Sequence, residues 1–156
     1  MLEVSLTEAI EQIGLMLKRA ANPLPVLTRI GASEVENIRT LITNDKTSPW
    51  GDASEPWAPW APSTAAYREH KGNADQGLLW DDGDLLRSIR AETHMYGDVG
   101  YGTLEVGSDL DYAVFLQDGT DRMPARKYLG WNEAIFPIYE LMLMGWMEFG
   151  SETAFL

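Results

Sequence analysis

An α+β fold follows from a change of hydrophobic period along the chain. Near the start, Leu6, Ile10, Ile13 and Leu17 recur at helical intervals, whereas beyond Gly83 the residues Ile89, Ala91, Thr93 and Met95 alternate with Ser88, Arg90, Glu92 and His94, the pattern of a half-buried strand. A third observation is the run from Ile135 to Met147, apolar on nearly every side, which predicts a C-terminal helix buried on both faces, between a sheet and a neighbouring subunit. These features predict one domain over residues 1–156, with N-terminal helices over 1–45, a long Pro/Trp-rich loop over 46–62 and an α/β core over 63–156. In that core a small antiparallel sheet of three or four strands packs against the N-terminal and C-terminal helices. The length suffices for one sizeable core, and a hydrophobic content of 45% excludes wholesale disorder.

Each element has a local reason. Ser5 and Glu8 have capping-box spacing before the first helix, and Asn22, Pro23 and Pro25 end it. A second helical pattern runs from Leu27 to Ile42 and stops at Asn44-Asp45; it reads equally as one helix weakened at Gly31 or as two, with a second capping box at Ser33 and Glu36. Prolines 56, 59 and 62 and tryptophans 57 and 60 share a period of three, the repeat of a polyproline II segment. Such a segment either docks into an aromatic groove of a partner or lays its Trp rings over the chain's own core. A short helix is expected from Thr64 to Lys71, broken by Gly72-Asn73. Gly97-Asp98 turns the chain into a return strand over Val99–Val106, with Leu104 and Val106 inward and Thr103 and Glu105 outward. Ser108 or Asp109 is expected to cap a short helix carrying Tyr112, Ala113, Phe115 and Leu116 and ended by Gly119. A loop then leads into a short strand at Lys127-Tyr128-Leu129, and Asn132 caps a last helix that reaches Phe149, with Pro137 either in its first turn or as a kink.

Three segments, in order, carry a resemblance. They are Pro56-Trp57-Ala58-Pro59-Trp60-Ala61-Pro62-Ser63-Thr64, then Leu85-Leu86-Arg87-Ser88-Ile89, which is similar to a strand start, then Tyr112-Ala113 leading into Gln117-Asp118-Gly119-Thr120 and Met123-Pro124-Ala125-Arg126-Lys127-Tyr128-Leu129-Gly130. The ordered set resembles the phage virion morphogenesis family of Mu- and P2-type tailed bacteriophages, and it spans about half the chain directly. What the resemblance implies is a structural protein of the head–tail junction, a tail completion or tail terminator ring, commonly hexameric, that joins the tail tube to the neck around the DNA channel. The same resemblance leaves open a head-side stopper or adaptor. Outside that class, the alternative is a small hydrolase or a regulatory binding protein.

The residue inventory favours assembly over catalysis. His70 and His94 stand outside any ligand spacing, cysteine is absent, and Ser63, Ser88 and Ser108 lack a nucleophile-elbow context. Gly100, Gly102 and Gly107 precede no Gly-Lys-Ser/Thr sequence. Asp81-Asp82-Gly83-Asp84 lacks the alternating ligands of a calcium loop and reads as a solvated turn that caps the next segment; Asp109 and Asp111 read as helix caps. We therefore expect no enzyme activity, no catalytic residue, no metal and no cofactor. Arg126 is held by Pro124-Ala125 in a defined direction, and its fork suits a carboxylate within the fold or on an adjacent subunit. With Trp57, Trp60, Tyr128, Met142 and Trp146 it forms the candidate subunit or partner interface.

Charge bears on the partners. Twenty-four acidic against 12 basic residues, a net charge of -12, disfavour a nucleic-acid clamp, so double-stranded DNA is expected to pass without tight binding. The start Met1-Leu2-Glu3-Val4-Ser5 lacks the basic region of a signal peptide, and the C-terminal run is too short and too interrupted by Glu140, Gly145 and Glu148 to span a membrane. The expected location is the host cytoplasm during assembly and the virion afterwards.

Overall fold

A computed structural model of the chain describes residues 5–45, 56–97, 101–130 and 133–151. The order is α1 (Leu6–Ala20), α2 (Leu24–Thr40), a π-helical turn (Leu41–Asp45), α3 (Pro62–Lys71), α4 (Asp84–Ser88), β1 (Arg90–Tyr96), β2 (Tyr101–Gly107), α5 (Ala113–Asp118), a 3-10 turn (Glu133–Ile135) and α6 (Phe136–Phe149). The fold is α+β, with an antiparallel sheet of two strands among the described residues. Backbone contacts group the chain into two compact units: Met1–Gly31, Glu92–Glu105 and Glu133–Leu156 form one, and Ala32–Ala91 and Val106–Asn132 the other.

In the first unit, the capping box forms as the spacing predicts: Ser5 Oγ accepts from the Glu8 amide at 3.2 Å while Glu8 accepts from the Ser5 amide at 2.8 Å. That reciprocal bond holds the Glu8 carboxyl below its ordinary range. Pro25, expected to help end α1, instead lies in the first turn of α2, where a missing N–H costs nothing. Pro137 sits likewise at the start of α6. The core here is Val26, Ile30, Tyr139 and Met142, backed by Leu104, Ile135, Leu143 and Trp146. Along α2 the helix is continuous through Gly31, so the single-helix reading holds and Ser33 is no cap.

The second unit is built on Ile38, Ile42, Trp57, Leu79, Leu85, Ile89, Ala113 and Tyr128. Gly77 passes so close to the carbonyl oxygen of Ile42 that any Cβ there would collide with backbone. Leu85 to Ser88, expected to begin a strand, instead make the helical turn α4, entered through Gly83 at φ 83°. The distant Arg39 stabilises this turn, donating from Nε to Leu86 O and from Nη2 to Ile89 O, each at 3.1 Å. β1 then alternates outward and inward as its sequence dictates. In β2, Leu104 and Val106 are partly buried and Glu105 is exposed, but Thr103 departs from the outward expectation: its hydroxyl is buried without a partner among the described residues.

Two further expectations are corrected. Neither Ser108 nor Asp109 caps α5: Ser108 bonds Ser88 Oγ at 2.7 Å and accepts from the Leu110 amide, and Asp109 pairs with Arg90 at 3.0 Å, so the helix begins only at Ala113. No third or fourth strand forms among the described residues. Lys127 to Leu129 is not a strand because a side chain takes the place of a neighbouring one: Gln117 Oε1 accepts the amides of Tyr128 and Leu129 at 3.0 Å each, and its Nε2 donates to Leu129 O at 2.8 Å. The Pro/Trp-rich loop is described from residue 56 onward; residues 46–55, Asp98 of the expected Gly97-Asp98 turn, the first two residues of the expected return strand (99–100) and Asn132 lie outside the described residues.

Because Trp57 is buried in the core of the second unit and donates from Nε1 to Lys127 O at 3.1 Å, Trp57→Ala is expected to cost roughly 3 to 5 kcal/mol in urea unfolding. Trp57→Phe, which keeps much of the apolar volume and loses only the donor, is expected to cost about 1 kcal/mol from the lost bond.

Candidate interaction surfaces

Four of the six sequence-derived interface residues, Trp57, Trp60, Arg126 and Tyr128, belong to the second unit, where Trp57 and Tyr128 share the core and Trp57 and Arg126 tie residues 57–59 to residues 126–127. Arg126 reaches back to the Pro/Trp segment, donating from Nε to Ala58 O and from Nη2 to Pro59 O, each at 3.0 Å. Its fork is used as expected, but on main-chain carbonyls rather than on a carboxylate of the fold. Its backbone amide is fixed by Leu116 O at 2.8 Å, and the preceding bend is permitted by Gly119 at φ 76°, where a Cβ would stand 2.6 Å from Ala125 N. Desolvation lowers the pKa of the Arg126 guanidinium. Tyr128 is fully buried, its hydroxyl 3.5 Å from Ala113 O, and burial pushes its pKa up to about 12.

Trp60 is partly buried. Its Nε1 donates to Leu78 O at 2.9 Å, and the Arg68 guanidinium lies 4.6 Å from its ring centroid. Arg68 also donates to Trp80 O and faces Asp81 at 3.5 Å. Lys71 bridges Asp81 and Asp82 at 2.8 and 2.7 Å, and Asn73 donates to Asp81 at 2.7 Å. Asp84 pairs with Arg87. The aspartate cluster is thus a set of ion pairs at the entry to α4 rather than a side-chain cap: no cap bond is made there, and no group of three or more metal-ligating side chains occurs among the described residues. Trp60, Tyr67, Arg68, Asp81 to Leu85, Tyr112, Leu116, residues 122–124 and Arg126 surround a cavity of about 640 Å³.

The remaining two, Met142 and Trp146, belong to the first unit. Met142 is buried in its core, and Trp146 donates from Nε1 to Arg19 O at 3.1 Å and Asn22 O at 3.2 Å. Arg19 answers by donating to Met147 O at 3.2 Å and Glu148 O at 2.6 Å, carbonyls left without helical partners at the end of α6. The most exposed apolar groups of this unit are residues the sequence reading did not select. Along α1, Leu6 is 78% exposed, Ile10 61%, Ile13 57% and Leu17 66%, and no residue of that helix is buried. Ile138, Leu141 and Met144 of α6 are also exposed. The spacing of the α1 stripe was visible in the sequence; that it faces outward was not.

A family model for phage virion morphogenesis matches residues 4–135. The chain belongs to that family. It is accordingly a protein of phage virion assembly, associated with the virion and with other virion proteins. No curated protein and no solved structure matches it. The family match includes α1 and the whole second unit and stops before α6. Among the described residues, no helix is long and apolar enough to cross a membrane.

The Lys71 hydrogen bond, then those from Asn73 and the charge of Arg68, hold the Asp81 carboxyl below its ordinary range. A carboxylate with a depressed folded-state pKa stabilises the protein above its unfolded value of about 3.9 and loses that contribution as pH falls through the folded value. Carbon-13 titration of Asp81 is expected to show the depressed pKa, and Lys71→Ala is expected to move it upward.

Proposed function

We propose that this family member is a structural ring at the phage head–tail junction, a tail completion or terminator protein that joins the tail tube to the neck, and that it acts without catalysis. The observation that carries the ring is the outward apolar stripe of α1, Leu6, Ile10, Ile13 and Leu17, beside the exposed Ile138, Leu141 and Met144 of α6. Soluble monomers rarely leave so continuous an apolar surface in water, whereas assembling subunits bury it. Closed rotational symmetry, a hexamer in this reading, removes the stripe from solvent without generating an open polymer. The net charge of -12 suits a subunit past which DNA must slide, since carboxylates repel phosphate over a Debye length of about 8 Å.

Native mass spectrometry of the protein with its tail tube is expected to show a closed oligomer. Ile10→Asp and Ile13→Asp, both on the solvent side of α1, are expected to abolish that oligomer while circular dichroism stays unchanged. A wild-type protein that stays monomeric with tail tubes, or full assembly by the Asp variants, would sink the α1 ring.

A further inference from the structure

The cavity of the second unit carries a charge imbalance that the ring reading does not use. Arg126 forms part of its wall and is only 6% exposed, yet its partners are the neutral carbonyls of Ala58 and Pro59; no carboxylate pairs with it among the described residues, and its Nη1 has no partner among them. Arg122, on the same loop and also lining the cavity, is exposed and has no carboxylate partner among the described residues either. The acidic part of the lining is balanced, because Asp81 and Asp82 are matched by Arg68 and Lys71 and Asp84 by Arg87. In a chain with twice as many acidic as basic residues, the unmatched charge of this cavity is positive. A buried guanidinium without a counterion is costly, and an arriving carboxylate relieves that cost.

The rest of the lining defines what the carboxylate is attached to. Trp60, Leu78, Leu79, Leu85, Leu116 and Met123 supply an apolar floor, and the volume of about 640 Å³ is that of a ligand site. Tyr67 and Tyr112 line the cavity and are themselves largely exposed, which extends the apolar surface beyond it. We propose that this cavity is a socket for an acidic peptide segment of a neighbouring virion protein, an Asp or Glu carboxylate meeting Arg122 and Arg126 with an adjoining aromatic or aliphatic side chain on Trp60 and Leu85. This rests on the assembly reading for the source of the peptide but not on the α1 ring.

The test is a titration of the full chain, labelled with nitrogen-15, with acetyl-Glu-Phe-amide, read at the Trp60 indole N–H. A saturable shift is expected, weakened at least about tenfold when the probe is acetyl-Gln-Phe-amide and again in Arg122→Glu, whose exposed position leaves the fold intact. No saturable shift, or equal binding of the Glu and Gln probes, overturns the socket. Binding of 3-phenylpropionate as tightly as the peptide overturns the peptide assignment in favour of a small acid. Oligomer formation by native mass is measured separately, so loss of the socket and loss of the ring are distinguishable.

Discussion

Main-chain carbonyls without a ladder or a helix to receive their hydrogen bonds are the constraint around which this protein is built. The described residues hold one two-stranded hairpin and long irregular connections, so many carbonyls need a side-chain donor. Both units meet the need in the same way, by a tryptophan and an arginine that exchange bonds across two segments. In one, Trp57 donates to Lys127 O while Arg126 donates to Ala58 O and Pro59 O. In the other, Trp146 donates to Arg19 O and Asn22 O while Arg19 donates to Met147 O and Glu148 O. Arginine suits the role because one planar group carries five donors and reaches two successive carbonyls, and the indole adds a single donor on a large apolar body.

Many of the residues that carry the family pattern are spent on the fold itself. Trp57, Leu85, Ile89, Ala113, Tyr128 and Arg126 carry the family pattern, and all are buried. They build a scaffold. Among the described residues most of the large apolar side chains left outward belong to α1 and α6, with Val114 and Phe115 of α5 and four tyrosines besides, and the unmatched positive charge belongs to the cavity beside Arg122. A Pro-rich segment cannot offer a regular ladder of amides, so the docking of residues 57–60 depends on the two indole donors and on the Arg126 fork.

Features with a local cause were legible in the sequence. Ser5 and Glu8 signal the start of α1 within one turn, the alternation from Ile89 to Met95 gives β1, and Pro137 opens α6. Features that depend on a distant donor were not. The turn α4 is secured by Arg39, 47 and 50 residues from the carbonyls it binds, and the fork of Arg126 finds its carbonyls 67 and 68 residues away. The strand expected at Lys127 to Leu129 is replaced by the amide of Gln117, a substitution that no period in the sequence reveals. For α1 the pattern gave the stripe but not its direction, since an apolar face looks the same whether it meets its own chain or another.

A double-mutant cycle on the staple of the second unit tests this account most directly. Trp57→Phe removes one arm and Arg126→Met the other, and because both arms fasten the same two segments, breaking either should devalue the one that remains. Urea unfolding of the wild type, the two single variants and the double variant should give a double-variant cost smaller than the sum of the singles by about 1 kcal/mol, within the range of directly coupled residues. Additivity to within about 0.3 kcal/mol would contradict the account, because the two donors would then act on separate parts of the structure.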